Sequence, residues 1–272
     1  ITIGPGAFED CTVLSTIENS KRITTALDRA FAGCTALTSV DISELTVVGK
    51  QVFEGCTALS TVTTSEFTTI GQNMFEGCTA LTSFAYDGES LGSGAFENCT
   101  NLAEVTLTNN NFLGIGENAF AGTAISNFTL PNGTYTIGDY AFKDCTSLTI
   151  VNLSESTRPT FGRSVFMGAT SFAAGPESGF FIKGRASDFN SYYSASNGVL
   201  YSLDGYELIA VPTYTQDFLI SSISDKIADG AMSGLTLTTE LDLSRIKQIG
   251  KYALADSTVT KVKFAEITAI PE

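Results

Sequence analysis

The chain has 272 residues, 43% of them hydrophobic and only 16% charged, with 29 acids against 15 bases and no histidine. That apolar content suffices for a long buried core and excludes a disordered chain. A formal charge of −14 excludes an electrostatic grip on nucleic acid and disfavours an anionic membrane surface. No apolar run approaches the ~20 residues that span a bilayer.

From the N-terminus, a Phe followed three residues later by Cys recurs at Phe8/Cys11, Phe31/Cys34, Phe53/Cys56, Phe75/Cys78, Phe96/Cys99 and Phe142/Cys145. Phe120 and Phe166 keep the frame without the Cys, and Met232 and Leu254 take the Phe slot in two late copies. From Phe8 to Phe166 the steps are 23, 22, 22, 21, 24, 22 and 24 residues. A period of this size is the mark of a solenoid, whose turns cannot bury their apolar faces alone. The pattern is already running at Ile1-Thr2-Ile3-Gly4 and still running at Ile267–Glu272. Solenoid ends normally carry caps, so the expectation is a trimmed piece of a longer protein.

Aligned on the Phe slot, each position shows its purpose. Two residues after it stands Gly, Asn or Asp in every copy, from Asp10 and Gly33 to Gly234 and Asp256. These residues tolerate a left-handed backbone, so a corner is predicted there. Four residues before the slot, Gly occurs in eight of ten copies, as in Ile70-Gly71 and Ile137-Gly138, and predicts a second bend. The GxxAF stretch between is too short for a full helix and is expected to make one helical or 3₁₀ turn. After the Cys comes a period-2 stretch: Leu37-x-x-Val40-x-Ile42, Leu102-x-x-Val105-x-Leu107, Leu148-x-x-Val151-x-Leu153. Such alternation predicts a strand buried on one face. Stacked copies make a parallel sheet, and about a dozen turns would give a slab about 55–60 Å long.

The six Cys all sit at one phase of the repeat. They are expected to point inward as a ladder of reduced thiols, behaving as small buried hydrophobes. With no CxxC pair and no His, zinc is not expected.

Units of Leu-x-x-Val-x-Ile followed by Ile-Gly-x-x-Ala-Phe-x-x-Cys resemble the BspA-like leucine-rich repeat family. The resemblance runs strongly from Ile3 to about Val165 and more loosely from Ile223 to Ile270. It implies a secreted or surface-anchored protein, mostly bacterial in occurrence, that adheres to host proteins or other cells. It carries no catalytic or ligand residue over to this chain. The architecture expected is therefore a β-rich α/β solenoid: a leucine-rich-repeat coil with a parallel sheet on one face and short 3₁₀ or helical turns on the other. One solenoid is expected over residues 1–272, with regular turns at 1–170 and 223–272 and an irregular segment at 171–222.

In that irregular segment Phe172 holds the Leu slot, and Phe180-Phe181-Ile182 can supply a strand after a five-residue insertion. Val199–Leu203, Asp204-Gly205 and Tyr206–Val211 then read as a hairpin that Pro212 should end. Five of the nine Tyr cluster here: Tyr192, Tyr193, Tyr201, Tyr206 and Tyr214. Tyrosines in irregular chain suit protein contacts and sugar stacking. The competing reading makes them filler for a degenerate stretch of core.

Without His, the Ser-His-Asp and Cys-His arrangements are excluded, and no phosphate-binding glycine loop is present. Glu18 and Asp41 share an outward strand position on adjacent turns, which would place two carboxylates about 5 Å apart, as in retaining glycosidases. Later turns carry Thr63, Ala85 and Thr106 there, so no acidic cleft continues. Asp87-Gly88-Glu89 lacks the ligand spacing of a calcium loop and reads as a turn. The outward strand residues Thr16, Ser39, Thr61, Ser83, Glu104 and Asn127 make a hydroxyl-rich face without Arg or aromatic anchors. The expected function is a non-enzymatic extracellular recognition module for a protein partner, with glycan capture through the tyrosine segment as the alternative. No cofactor is expected.

Overall fold

The structure is a computed structural model; it describes residues 1–65, 69–109, 111–153, 157–173, 179–182, 193–196, 198–213, 220–237 and 239–265. The chain winds into a β-solenoid of about ten turns with parallel sheets and almost no helix. The expectation of about a dozen turns is thereby corrected to about ten. Each regular turn contributes two short strands. The first set follows the Cys slot: Ser39–Asp41 pairs in parallel with Thr61–Thr63, Ser83–Tyr86 with Glu104–Leu107, and Asn127–Thr129 with Ile150–Leu153. The second set comes from the aliphatic residue before the glycine. Ser90–Leu91, Gly114–Ile115, Gly133–Ile137 and Thr157–Phe161 lie side by side in one parallel sheet.

The corners differ from expectation in an informative way. The segment from Gly to Phe forms turns; the one 3₁₀ helix among the described residues is Ser20–Arg22, elsewhere in its turn. The corner two residues after the Phe slot is left-handed in all ten copies, from Asp10 (φ 56°) to Asp256 (φ 55°). A second left-handed residue sits two before the slot, at Arg29, Gln51, Asn73, Asn118, Tyr140, Ser164 and Tyr252 among others. The glycine four before the slot is not itself the bend. A Cβ on Gly92 would lie 2.6 Å from the carbonyl carbon of Gly71, so it is there to let adjacent turns touch.

Inside, the Phe slots stack into a column. Successive rings from Phe8 to Phe166 are 5.1, 5.4, 5.7, 5.5, 5.7, 5.3 and 5.6 Å apart and nearly parallel. The thiols run beside them. Sγ of Cys34, Cys56 and Cys78 each donates to the carbonyl of the Phe one turn earlier (Phe8, Phe31 and Phe53) at 3.2 Å. All six Cys are free, and all but Cys11 are buried. Burial pushes the thiols of Cys56 and Cys99 up to about 12.

The irregular segment keeps more of the lattice than its sequence suggests. Gly179–Ile182 pairs in parallel with Ile150–Leu153, and buried Phe172 packs on Phe166 and Phe180. The hairpin is present: Val199–Ser202 and Glu207–Ala210 are antiparallel, with a left-handed Gly205 (φ 76°) at the turn. A third strand, Tyr193–Ser196, extends it antiparallel on the other side of Val199–Ser202. The pairing of Ser196 with Val199 leaves only Asn197 and Gly198 between them, a dipeptide that signals a tight hairpin as strongly as Asp204-Gly205.

After Ala210 the chain imitates a corner with fewer residues. Val211 N–H donates to the Ala231 carbonyl at 2.9 Å, as Phe slots do to the next turn. Thr213 Oγ1 donates to the Phe166 carbonyl at 2.5 Å, in the place of a Cys thiol.

Candidate recognition surface

Two surfaces answer to the sequence candidates, and a third does not. The strand face is as expected: Thr16, Ser39, Thr61, Ser83, Glu104 and Asn127 are all exposed and mostly neutral. Glu18 and Asp41 are not assembled as a pair by the ladder. The first two turns are in register at Ser15 and Thr38, but the chain then turns away at Asn19 (φ 56°). Asp41 N–H donates to the Ser20 hydroxyl at 2.9 Å, and Asp41 Oδ1 accepts from Ser43 N–H at 3.0 Å. Asp87 Oδ1 is likewise occupied, by the Thr108 hydroxyl at 2.7 Å.

The tyrosines do not act as a set. Tyr201 is 5% exposed and belongs to the core under the C-terminal turns, so it is a packing residue and corrects its place among the candidates. Burial raises its phenol above the usual range. Tyr206 is 55% exposed, beside the hairpin turn. Tyr193 lies in the outer strand, on the pairing position of Ser202. Tyr192 and Tyr214 fall outside the described residues.

The third surface was not legible in the sequence. The sheet that ends at Thr157–Phe161 does not pair with the next strand, Glu207–Ala210, which belongs to a second sheet with Lys226–Ile227 and Gln248–Ile249. Between them opens a cleft of about 510 Å³, lined by Phe161, Ile209, Ile227, Glu207, Asp229 and Gln248 among others. The shortened corner after Ala210 is its cause. On the corner side the turn at Met232 docks directly on the turn at Phe166, with Gly230 so close to Gly162 that a Cβ would lie 2.6 Å from its carbonyl oxygen. On the strand side the hairpin holds the two ladders apart.

Polar side chains clamp the closed end. Asp256 Oδ2 accepts from the Ser164 hydroxyl at 2.7 Å and the Tyr140 hydroxyl at 3.0 Å, and these bonds hold its carboxyl below the usual range. Arg163 lies over Tyr140, 5.0 Å from the ring centre, and its Nε is 3.7 Å from the same carboxylate. Ser164 N–H donates to the Ser233 hydroxyl at 2.5 Å.

The BspA-type leucine-rich repeat region matches the chain in six copies, over residues 1–89 and 86–173. The chain belongs to the BspA-type leucine-rich repeat family. A leucine-rich cell surface protein of Faecalibacterium prausnitzii shares the coil, with a TM-score of 0.52 at 22% identity over 89% of this chain. The BspA-type chain spans 59% of that protein's length. A leucine-rich repeat protein of T. pallidum is 26% identical over 58% of this chain and 74% of its own, with a TM-score of 0.49. No curated protein sequence matches. No helix among the described residues is long and apolar enough to cross a membrane.

Proposed function

We propose that this BspA-type coil is a non-enzymatic recognition module, displayed outside the cell, that binds a protein partner. The observation that carries the reading is the cleft at the break in the repeat: an apolar floor with a polar rim, set in an otherwise self-satisfied lattice. In the regular turns backbone and side-chain polar groups are largely spent on the next turn, as when Lys50 N–H meets Asp28 and Arg29 bridges Glu9 and Glu54. Such a lattice is a rigid support with little left over for chemistry, and rigid supports carrying an irregular surface suit binding without reorganisation. Membership of a family of surface leucine-rich repeat proteins supports the location.

The test is an array of extracellular proteins probed with the native chain and with Ile209→Arg, which fills the cleft. Capture of a defined protein that is lost in the variant, with an unchanged circular dichroism spectrum, is expected. Capture indifferent to the variant, or none at all, ends the reading. The exposed Tyr206 ring favours glycan capture as a second reading. A glycan array separates it, since Tyr206→Ala would abolish sugar binding and spare protein binding.

A further inference from the structure

The recognition reading leaves the chemistry of the partner open, and the cleft itself narrows it. Its floor is aliphatic and aromatic: half-buried Phe161 and Ile209, with the core residue Ile227 beneath them. Its rim carries two carboxylates, Glu207 and Asp229, and among the described residues no Lys or Arg lines it. Glu207 is half-buried, yet its carboxylate has neither hydrogen bond nor ion pair among the described residues. Lys226 is its register neighbour and does not come within ion-pair distance. Other acids of these turns behave differently. Glu240 pairs with Lys261 at 2.6 Å, Asp242 with Lys263 at 3.1 Å and Asp225 with Lys247 at 3.3 Å, each one turn away. Asp229 uses Oδ1 to accept from Lys251 N–H at 2.7 Å, and Oδ2 has no partner among the described residues.

Carboxylates without a cationic partner beside an apolar surface favour a ligand that brings a cation to them. The field of a chain with net charge −14 adds to that attraction. The walls of the cleft are strands, so an extended backbone fits its length, and the floor takes apolar side chains on alternate positions.

We propose that the cleft binds a short extended segment of the partner that carries Lys or Arg between aliphatic side chains. The cation meets Glu207 and Asp229, and the aliphatic neighbours cover Ile209 and Phe161. The proposal rests on the recognition reading but is tested without the natural partner. The probe is the capped peptide Val-Lys-Ile-Arg-Val, with Val-Glu-Ile-Glu-Val as control, followed by isoleucine-methyl NMR of the whole chain.

The basic peptide should shift the methyl signals of Ile209 and Ile227 and leave buried Ile125 and Ile42 unmoved. Glu207→Gln should weaken binding at least tenfold, and Glu207→Lys should remove it, with the Ile125 and Ile42 signals showing that both variants fold. Equal binding of the acidic peptide, indifference to Glu207→Gln, or movement of methyls elsewhere would overturn the assignment. A silent protein array beside this peptide signature would end the recognition reading and keep the cleft's preference for cations; array capture that Ile209→Arg abolishes, without the peptide signature, would keep the recognition reading and sink this assignment.

Discussion

The regular turns and the join between them are held together by different means. From Phe8 to Phe166 the repeated contacts are with the turn next door: ring on ring, thiol to carbonyl, backbone to backbone about 22 residues away. At the join the bonds reach 47, 69, 92 and 116 residues, from Thr213 to Phe166, Ser164 to Ser233, Ser164 to Asp256 and Tyr140 to Asp256. A quasi-one-dimensional lattice adds copies by repeating one interface. When a turn loses its corner, the next complete turn docks on the last one, and the displaced chain becomes new surface. The cleft is a by-product of that repair, which is why it lies beside the clamp.

Three measurements press on this comparison. The largest effect is expected from alkali, because every Cys lies between Cys11 and Cys145 and the late copies carry Thr213, Leu235 and Ser257 instead. The unfolded thiols ionise near 9.0, whereas Cys56 and Cys99 are held up to about 12 in the fold. The unfolded chain therefore sheds protons first, and stability present below pH 9 is lost as pH rises toward 12. The melting temperature by circular dichroism should fall steadily over that window, and fall less in a Cys56→Ala, Cys78→Ala, Cys99→Ala variant. A flat profile would show that the thiols do not matter.

Next is the ring column. Phe75 is fully buried between Phe53 and Phe96, so Phe75→Ala should destabilise by about 3–5 kcal/mol in urea unfolding. Met232 fills the same slot beyond the join, and Met232→Ala should lose about 2–3 kcal/mol, with no stacked rings to interrupt. Equal losses would mean that stacking adds nothing to burial.

The smallest effect concerns the clamp. Asp256→Ala removes the acceptor for Ser164 and Tyr140, hydrogen bonds to a charged group at a partly exposed site, and should lower stability by about 1 kcal/mol. Its signature is separation: fragments from the C-terminal turns should exchange hydrogen faster while those around Phe75 stay protected. The carboxyl is held below its usual range, so the native clamp is intact above the ordinary Asp value and fails as pH falls through the folded one. Uniform exchange across the chain would argue that the turns are coupled by the sheets alone.

Much of this architecture could be read from residue types, and the exceptions have physical reasons. The corner after the Phe slot was legible because only Gly, Asn and Asp occur there. The corner before it was not, since Arg29, Gln51, Tyr140 and Tyr252 are not residues that announce a left-handed backbone; neighbouring turns impose it. The hairpin followed from Asp204-Gly205, and Asn197-Gly198 carried the same signal for the outer strand. Tyrosine clustering was a weaker guide. Tyr201 and Tyr206 are five residues apart on one hairpin, and the pleat and turn place one in the core and one outside.

Periodicity alone was enough to set the coil, its inward column of rings and its ladder of thiols, because a repeat that buries one face must stack on its own copies. The cleft and the clamp have no period. They depend on how far one hairpin pushes two ladders apart and on which distant corner then falls against which, and that is settled only when the whole chain packs.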